Sequence, residues 1–330
     1  MDNIENKSCL PFKVFTPFWK HCLKKLNAST PLPAPQKVEP PKVSLRTTEL
    51  SELNLEPEQD WGHSMNEVWT PGERGAASAL ELFINDSFND YAKIRNFPNT
   101  KGTSRLSPHL RFGEISPRQI KHSLEQSGHA HWKESHYLSE IGWREFGYHL
   151  LYHFPHTVRE PLRPQFNRFP WKENSPQLRS WQKGQTGYPL VDAGMRELWA
   201  TGWMHNRVRM VVASFLVKHL LIHWRHGADW FWDTLVDADL ASNTQGWQWT
   251  AGSGADAAPY FRIFNPTTQA IKFDPEGDYI RKWVPELRHM SAPDIFEPSK
   301  VDRGQNYPNP IVNHSDARDR ALKAYEKTKA

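Results

Sequence analysis

From about residue 71 to the C-terminus, apolar residues recur at the three- and four-residue spacing of helices, and the alternation typical of strands is scarce. This period predicts helices over residues 76–91, 117–126, 132–153, 191–199, 206–223 and 230–236. Ser107 and Ser116 each place a capping hydroxyl before a proline, and Gly227 follows His226 as a helix stop signal. We therefore predict an all-α, multi-helix domain over residues 71–330, with long ordered loops.

The chain before this region has a different character. Residues 1–20 end in the aromatic run PFKVFTPFWK, with no element before it to pack against. A helix or strand of this length cannot bury a face alone, so we interpret residues 1–20 as the tail of a unit whose body is absent. We expect its aromatic side chains to be exposed, namely Phe12, Phe15, Phe18 and Trp19. Residues 21–70 include the proline-dense run STPLPAPQKVEPPKV and are predicted to be an extended interdomain linker.

Composition limits the classes of function. Fifteen tryptophans are several times the usual share, which favours a stacking or redox role beyond core packing. A net charge of +4 is compatible with a nucleic-acid partner but is too small to demonstrate one. The two cysteines, Cys9 and Cys22, form no disulfide framework and indicate a reducing compartment. Arg209 and Lys218 interrupt the longest apolar run, residues 208–224, which argues against a membrane span. We expect a cytoplasmic protein without membrane association.

One stretch, residues 230–266, is unusually rich in groups that bind ligands. It contains the carboxylates Asp237 and Asp239, the amide of Asn243, and the tryptophans Trp247 and Trp249. Its glycines and alanines let backbone approach a flat molecule, while Asp and Asn supply directional polar contacts. A solvated loop is the alternative for the two acids. The stretch predicts a pocket for a large aromatic cofactor.

Other candidates keep an ordinary alternative. Residues 102–108 gather hydroxyls and Arg105 before a helix start, which suits an anion cradle but also a simple capped helix. Glu140, Trp143 and Arg144 share a helix face, which indicates either a binding wall or a surface ion pair. Asn206, at the start of the most apolar helix, is either a ligand contact or a cap.

Three patterns are set aside. Residues 252–257 fit G-x-G-x-x-A, but Pro259 follows and no strand precedes them. His219 and His223 have helical metal-ligand spacing, yet no further ligand set completes a site. The isolated Ser and His residues form no nucleophile arrangement that sequence can reveal.

Four motifs together resemble the DNA photolyase and cryptochrome family: GTSRLSPHL, SEIGWREF, MHNRVRM and DADLASNTQGWQWTAGSGADAAPYFRIFNP. The likeness runs from about Gly72 to the C-terminal end and implies the flavin-binding helical domain of that family. The short PFKVFTPFW resembles the end of the family's N-terminal α/β antenna domain, the rest of which is missing. The resemblance therefore implies FAD as cofactor, active in its reduced form, and no antenna chromophore.

The resemblance also implies roles for individual residues. Contacts to the phosphates and folded body of FAD fall on Tyr91, Thr103, Ser104, Arg105, Leu106 and Ser107. Tyr137 occupies a cofactor position where relatives often carry Trp. Asp237, Ala238 and Asp239 flank the ribose and ring system, and Asn243 faces flavin N5. The surface-to-flavin electron path falls on Trp171, Trp224 and Trp247.

A second set of positions concerns DNA. The pocket for a flipped dimer and its flanking strand falls on Glu140, Trp143, Asn206, Arg207, Met210, Trp249 and Gln269. Arg95, Arg144 and Arg207 are expected to carry the salt-dependent DNA contact. Plant-type cryptochromes usually have Asp at the position of Asn243, and (6-4) photolyases have histidines at the positions of Asn206 and Met210. The chain thus looks most like a bacterial cyclobutane pyrimidine dimer photolyase.

The implied reaction is light-driven repair by electron transfer from excited reduced FAD to a flipped-out dimer, followed by return of the electron. The expected partner is DNA containing pyrimidine dimers, bound by a monomer. Two alternatives stay open at this point. One is a cryptochrome-like blue-light flavoprotein, and the other is a truncated remnant without repair activity.

Overall fold

The computed structural model describes residues 4–26, 30–55, 62–257, 261–301 and 306–329, and its regular structure is helical. Within these ranges the only strand-type pairing is one antiparallel bridge between Glu5 and Pro11. The α-helices are α1 (Phe15–Lys24), α2 (His63–Asn66), α3 (Glu73–Asp86), α4 (Tyr91–Ile94), α5 (Ser107–Phe112), α6 (Pro117–Gln126), α7 (His136–His153), α8 (Ser175–Gln182), α9 (Pro189–Thr201), α10 (Asn206–Ser214), α11 (Trp224–Thr234), α12 (Leu240–Ala251), α13 (Pro266–Phe273), α14 (Asp278–Trp283) and α15 (His314–Glu326). Short 3₁₀ turns lie at Leu50–Leu53, Trp132–Glu134, Pro155–Val158, Pro164–Arg168, Pro285–Leu287, Asp294–Phe296 and Pro298–Lys300. The all-α prediction is confirmed.

Local start signals give one correct helix boundary and one error. At α6 the Ser116 hydroxyl accepts a hydrogen bond from the Gln119 backbone N–H (3.2 Å), and the Gln119 side chain accepts one from the Ser116 N–H (2.8 Å). This reciprocal cap satisfies two donors that the helix leaves free. At α5 the cap position is Leu106, with no side-chain cap bond, so the predicted capping role of Ser107 is wrong.

Gly227 lies inside α11 and does not end a helix, which corrects the predicted stop. A Cβ atom at position 227 would lie 2.0 Å from the Trp247 ring. The missing side chain therefore lets the indole of α12 rest directly on the backbone of α11. The requirement for glycine here comes from packing between two helices.

The helix predicted over residues 206–223 is divided in the structure. The α-helical part ends at Ser214 and a buried π-helical turn, Phe215–His219, follows. Two polar atoms of this turn find partners: Lys218 Nζ donates to the Arg262 carbonyl, and His219 Nε2 lies 2.8 Å from His314 Nδ1. No described helix is both long enough and apolar enough to cross a bilayer.

Two hydrophobic clusters form most of the core. The larger is built on α9, α10 and α12 and contains Trp181 and Trp224, which are almost fully buried. The second joins α3, α6 and the first half of α7 around Ile120 and Leu124. Because α12 contacts both α7 and α10, the helices that carry most of the predicted site residues adjoin one another.

The N-terminal segment packs into this helical unit, which corrects the expectation that its aromatic residues are exposed. Phe12, Phe15 and Phe18 are 8%, 7% and 0% exposed, and Trp19 is partly buried. α1 lies against α7, and the Phe12 N–H donates to His149 Nε2 at 3.1 Å. The sequence contains no partner before this segment, but its partners follow much later in the chain.

Residues 30–49 form neither helix nor bridge and are almost all exposed. This agrees with an extended, proline-dense stretch. The division of the chain into a remnant, an interdomain linker and a catalytic domain stays a prediction.

Candidate flavin and DNA site

The turn between α4 and α5 carries the predicted phosphate-binding residues and is held from α7. Tyr137 donates its hydroxyl to Ser104 Oγ at 3.0 Å, and Ser104 Oγ also accepts from the Leu106 N–H at 3.4 Å. Arg105 has a φ of 53°, in the left-handed region that side chains rarely adopt, and its guanidinium lies 4.2 Å from the Trp203 ring centroid. Strained backbone of this kind persists where the surroundings hold it and is common at ligand sites.

Two tyrosines line the same turn. Tyr91 and Tyr137 are buried, with ring centroids 5.3 Å apart and planes at 84°. Burial raises the pKa of Tyr91 to about 12 and raises the pKa of Tyr137 as well. Both phenols therefore keep their protons and can donate hydrogen bonds. On the turn itself Thr103 is partly buried and Ser107 is exposed.

The loop between α11 and α12 contains a buried carboxylate with one free oxygen. Asp237 Oδ2 accepts a hydrogen bond from the Arg209 guanidinium at 2.8 Å, and Asp237 Oδ1 is buried without a partner. Such an orphan oxygen is costly unless a donor reaches it. Hydroxyl and N–H groups of FAD are suitable donors, so this residue fits the implied cofactor.

The next residues of the loop are fixed by protein contacts. Asp239 Oδ1 accepts from the Ser242 N–H (2.7 Å) as the N-cap of α12, and Asp239 Oδ2 accepts from the Tyr148 hydroxyl. Burial, with the adjacent carboxylate, raises the pKa of Tyr148 to about 12. The Ala238 carbonyl accepts from Arg111 Nε. These bonds hold the loop in one geometry beside the free oxygen of the preceding residue.

Asn243 lies one turn into α12 and is held from α11. Its Nδ2 donates to the Ala228 carbonyl at 2.9 Å, which fixes the orientation of the amide. Its Oδ1 makes no hydrogen bond to any described residue. An oriented acceptor is thus available to an N–H at the edge of a flavin ring.

On α7, Glu140 pairs with Arg95 at 2.5 Å. The alternative pair of Glu140 with Arg144 is not formed. Arg144 instead bonds Glu145 at 2.6 Å and lies 4.6 Å from the Tyr148 ring centroid. The structure therefore pairs Glu140 with Arg95. Arg144 lies instead against Tyr148, whose hydroxyl bonds Asp239 in the loop before α12.

The first turns of α10 carry three more of the residues predicted to contact DNA, Asn206, Arg207 and Met210. His205 caps the helix by accepting the Arg207 N–H on Nδ1 (3.2 Å), so Asn206 is not the cap and stays exposed. The Arg207 guanidinium donates to Asn96 Oδ1 at 2.7 Å and lies 3.8 Å from the Met210 sulfur. Arg207 and Met210 are thus in direct contact.

Three arginines concentrate positive charge here. The pKa of Arg207 is lowered, first by burial and then by the neighbouring charges of Arg95 and Arg262. Gln269 belongs to the same region, because it lies one turn before Phe273, whose ring centroid is 4.4 Å from the Arg207 guanidinium. A phosphate placed among these guanidinium groups would relieve their mutual repulsion. Sequence reasoning missed Arg262, although it belongs to the quoted motif.

The two predicted walls of the dimer pocket differ in their surroundings. Trp143 is 36% exposed and stacks on Phe15, with ring centroids 3.8 Å apart and planes at 11°. Trp249 is partly buried on α12. No ring contact joins Trp143 to Trp249 in the described part of the chain, so a pocket between them stays a prediction.

The three tryptophans assigned to electron transfer lie in or against one core cluster. Trp224 and Trp247 are each 2% exposed, and Trp171 is partly buried. Trp171 contacts His223 (4.9 Å between centroids), and His223 contacts Trp224 (5.5 Å). Trp247 lies 6.1 Å from the buried Trp181 instead. A relay through all three predicted residues stays a prediction.

Sequence reasoning also missed Arg209 and Tyr148. Arg209 was considered only as a charge that interrupts an apolar run, yet it holds Asp237. A charged residue in so apolar a helix is itself a signal, because buried charges are nearly always paired. The bond between Tyr148 and Asp239 had no such signal in the sequence.

The chain is similar to known proteins over most of its length. Residues 137–327 match the family described as the FAD binding domain of DNA photolyase. A deoxyribodipyrimidine photo-lyase of Agrobacterium fabrum is 47% identical over 99% of this chain and 71% of its own length. The corresponding values for the deoxyribodipyrimidine photo-lyase of Escherichia coli are 45%, 96% and 68%. The crystal structure of a bacterial class III photolyase from Agrobacterium tumefaciens aligns with a TM-score of 0.93 at 46% identity, over 99% of this chain and 71% of that one.

Proposed function

The chain belongs to the DNA photolyase and cryptochrome family, and we propose that it repairs cyclobutane pyrimidine dimers in DNA with blue light and FAD. Its relatives over most of its length are deoxyribodipyrimidine photo-lyases, so it is an enzyme of the photolyase type with an FAD-binding domain. The observation that carries the proposal is the adjacency of two sets of side chains. Asp237 and Asn243, predicted to hold the cofactor, lie just before and on α12, and Glu140 and Arg207, predicted to meet DNA, lie on α7 and α10, which both contact α12.

The cofactor set acts by binding and orientation. Asp237 Oδ1 would accept a hydrogen bond from FAD, Asn243 would present its oriented oxygen, and the turn at Ser104 would face the phosphates. When bound and reduced, FAD supplies the electron that opens the cyclobutane ring under light and that returns afterwards. The buried Tyr137 supports the turn through its bond to Ser104, and the buried Tyr91 ring packs against Tyr137.

The DNA set acts on the lesion and its strand. The Glu140 carboxylate is fixed by Arg95 and keeps acceptor capacity for a base N–H. Arg207 supplies positive charge for the phosphates of the strand. Trp143 exposes aromatic surface that an unstacked dimer would cover.

The proposal also covers the redox state of FAD, the antenna chromophore, the oligomeric state and the cellular location. The active cofactor is reduced FAD, no antenna chromophore is bound, and the protein acts as a monomer. The free thiols of Cys9 and Cys22 support a reducing compartment and hence the proposed cytoplasmic location. Repair under strong light should follow the absorption of reduced flavin alone. A second, stronger band from a pterin or deazaflavin would contradict the absence of an antenna.

The central test is repair of a strand that carries a single cyclobutane thymine dimer. Purified protein should contain flavin, and repair should require both its reduction and blue light. Glu140→Gln should lower repair, whereas Glu125→Gln, exposed on α6 and paired with Lys121, should not. A protein that binds FAD but leaves dimers intact under light would instead support a cryptochrome-like or inactive flavoprotein.

A further inference from the structure

The contact between Phe15 and Trp143 joins the N-terminal helix to a predicted wall of the lesion pocket. Their rings are nearly parallel, at 11°, with centroids 3.8 Å apart. The Trp19 ring is also nearly parallel to the Phe15 ring, at 11°, with a centroid distance of 6.2 Å. Phe15 is 7% exposed and Trp143 is 36% exposed. The indole of Trp143 is therefore backed by α1 and open to solvent elsewhere.

The position of Trp143 on α7 explains this arrangement. Gly142 and Phe146 face α1: a Cβ at position 142 would lie 2.6 Å from the Trp19 ring, and Phe146 contacts Phe15 at 5.9 Å. Gly147 faces α12, and Glu140 lies on the same side of α7. At 100° per residue, Trp143 falls at the boundary between these two stripes. It can touch α1 and a ligand beside Glu140 at the same time.

Phe15 is itself fixed from two directions. Its ring is nearly parallel to those of Trp19 and Trp143 and contacts both, and its backbone N–H donates to Asp256 Oδ2 at 3.3 Å. Asp256 follows α12, the helix that carries Trp249. Phe15 is thus held by rings of α7 and by the segment that follows α12.

We propose that Phe15 is a positioning residue of the lesion site, which fixes the plane of Trp143 so that its open surface meets an unstacked pyrimidine dimer. This inference rests on the proposed function. A parallel ring behind the indole restricts its rotation before DNA binds, so less conformational freedom is lost on stacking. α1 is therefore part of the lesion site.

The test compares Phe15→Leu with Phe18→Leu. Both substitutions remove a buried ring from α1, but Phe18 is 0% exposed and contacts Phe146 and His149, not Trp143. Affinity for strands with and without a dimer is measured together with the melting temperature. Phe15→Leu should weaken binding of the damaged strand about two- to tenfold, as loss of one aromatic pair implies, and leave undamaged DNA unchanged. Phe18→Leu should lower the melting temperature at least as much as Phe15→Leu does, but it should keep the preference for the damaged strand. Phe15→Tyr, which retains an aromatic ring, should show the same preference as wild type.

Two outcomes would overturn the inference. Either both leucine variants lose discrimination equally, or Phe15→Leu keeps it in full. If the leucine variants do not fold, the same comparison is made with Phe15→Met and Phe18→Met, because the flexible methionine side chain fills irregular gaps. A wild-type protein that does not discriminate damaged from undamaged strands would refute the proposed function, and with it the role of Phe15. Discrimination by wild type that survives in the Phe15 variants refutes only the inference.

Discussion

Arg209 and Asp237 form an ion pair at 2.8 Å in which the Asp237 side chain is 3% exposed and that of Arg209 is 24% exposed. The pair uses one carboxylate oxygen and leaves the other buried and free. An acid held in this way cannot turn its free oxygen toward solvent. Its orientation is therefore set before any ligand binds.

Asp237→Ala should weaken retention of FAD by about 1–3 kcal/mol, because a polar contact to a buried ligand is lost. The measurement is a flavin titration of flavin-free protein. Asp274→Ala is the control, since Asp274 is equally buried but accepts the N–H groups of Tyr279 and Ile280. That variant should lower stability and leave flavin affinity unchanged. Equal loss of flavin in both variants would indicate general destabilisation.

Trp247→Phe should slow light-driven reduction of oxidised flavin, while chemically prereduced protein still repairs. The reason is that phenylalanine is much harder to oxidise than tryptophan, whereas the lesion contacts are untouched. Trp132→Phe, in the other core cluster, should change neither rate. Loss of repair by prereduced Trp247→Phe to the same extent would show that the assigned role is wrong.

Trp143→Ala should cost about 1–3 kcal/mol of affinity for damaged DNA, because one stacking surface is removed. Undamaged DNA should bind weakly in both proteins, with a strong salt dependence from Arg95, Arg144 and Arg207. The measurement is the affinity of wild type and of Trp143→Ala for matched strands with and without a dimer. Trp232→Ala, 46% exposed on α11, is the control for loss of a surface indole. Equal weakening on both strands would argue for general DNA contact.

Gly227→Ala should destabilise the protein by at least about 1 kcal/mol, because the new methyl group would overlap the Trp247 ring. Gly246→Ala is the matched control on the adjoining helix. Nothing lies within 4 Å of a Cβ at position 246, so alanine there should stabilise by about 0.5–1 kcal/mol through helix propensity. Urea unfolding of both variants measures the difference. Similar stability of the two would contradict the close packing of α11 and α12.

Stability should fall as the pH is lowered from about 6.5 toward 4. Burial, reinforced by Arg209 and Arg207, lowers the pKa of His205 to about 3, and burial lowers that of His219 to about 3. In the unfolded chain these two imidazoles take up protons near pH 6.5, whereas in the folded protein they stay neutral until the pH is much lower. Their full contribution to stability is therefore present above about pH 6.5. Each histidine contributes a slope of about 1.4 kcal/mol per pH unit within the window.

His205→Asn tests this dependence, because asparagine keeps the cap of α10 but does not titrate. Its unfolding free energy should change less steeply between pH 6.5 and 4 than that of wild type. His156→Asn, at an exposed position, should leave the slope unchanged. An unchanged slope in His205→Asn would exclude this histidine as a source of acid sensitivity.

Local signals predicted the parts of the fold that depend on near neighbours. The bounds of α6 are correct because its cap and its proline lie within four residues of each other. Gly227 was misjudged because its role depends on Trp247, which reaches it across a helix–helix contact. The same limit applied to α1: its aromatic side chains were expected to be exposed, because the helix that covers them, α7, lies much later in the chain.

The candidate site follows the same rule. Residue types and motifs identified Asp237 and Asn243, because acids and amides beside small residues form a compact pattern. The bond from Arg209 to Asp237 depends on how α10 is rotated against the following loop, which no local pattern specifies. The pairing of Glu140 with Arg95, and not with Arg144, likewise depends on tertiary placement.

The helix α1, which packs on α7, is connected to the later helices through the exposed segment that includes residues 30–55. Detachment of α1 is therefore a unimolecular event, and the freed helix stays within the reach of its own tether. A tether makes rebinding intramolecular, so its effective concentration depends on the length and stiffness of the connecting segment and not on the protein concentration. A free peptide carrying Phe15 and Phe18 would therefore have to compete with the tethered helix to displace α1.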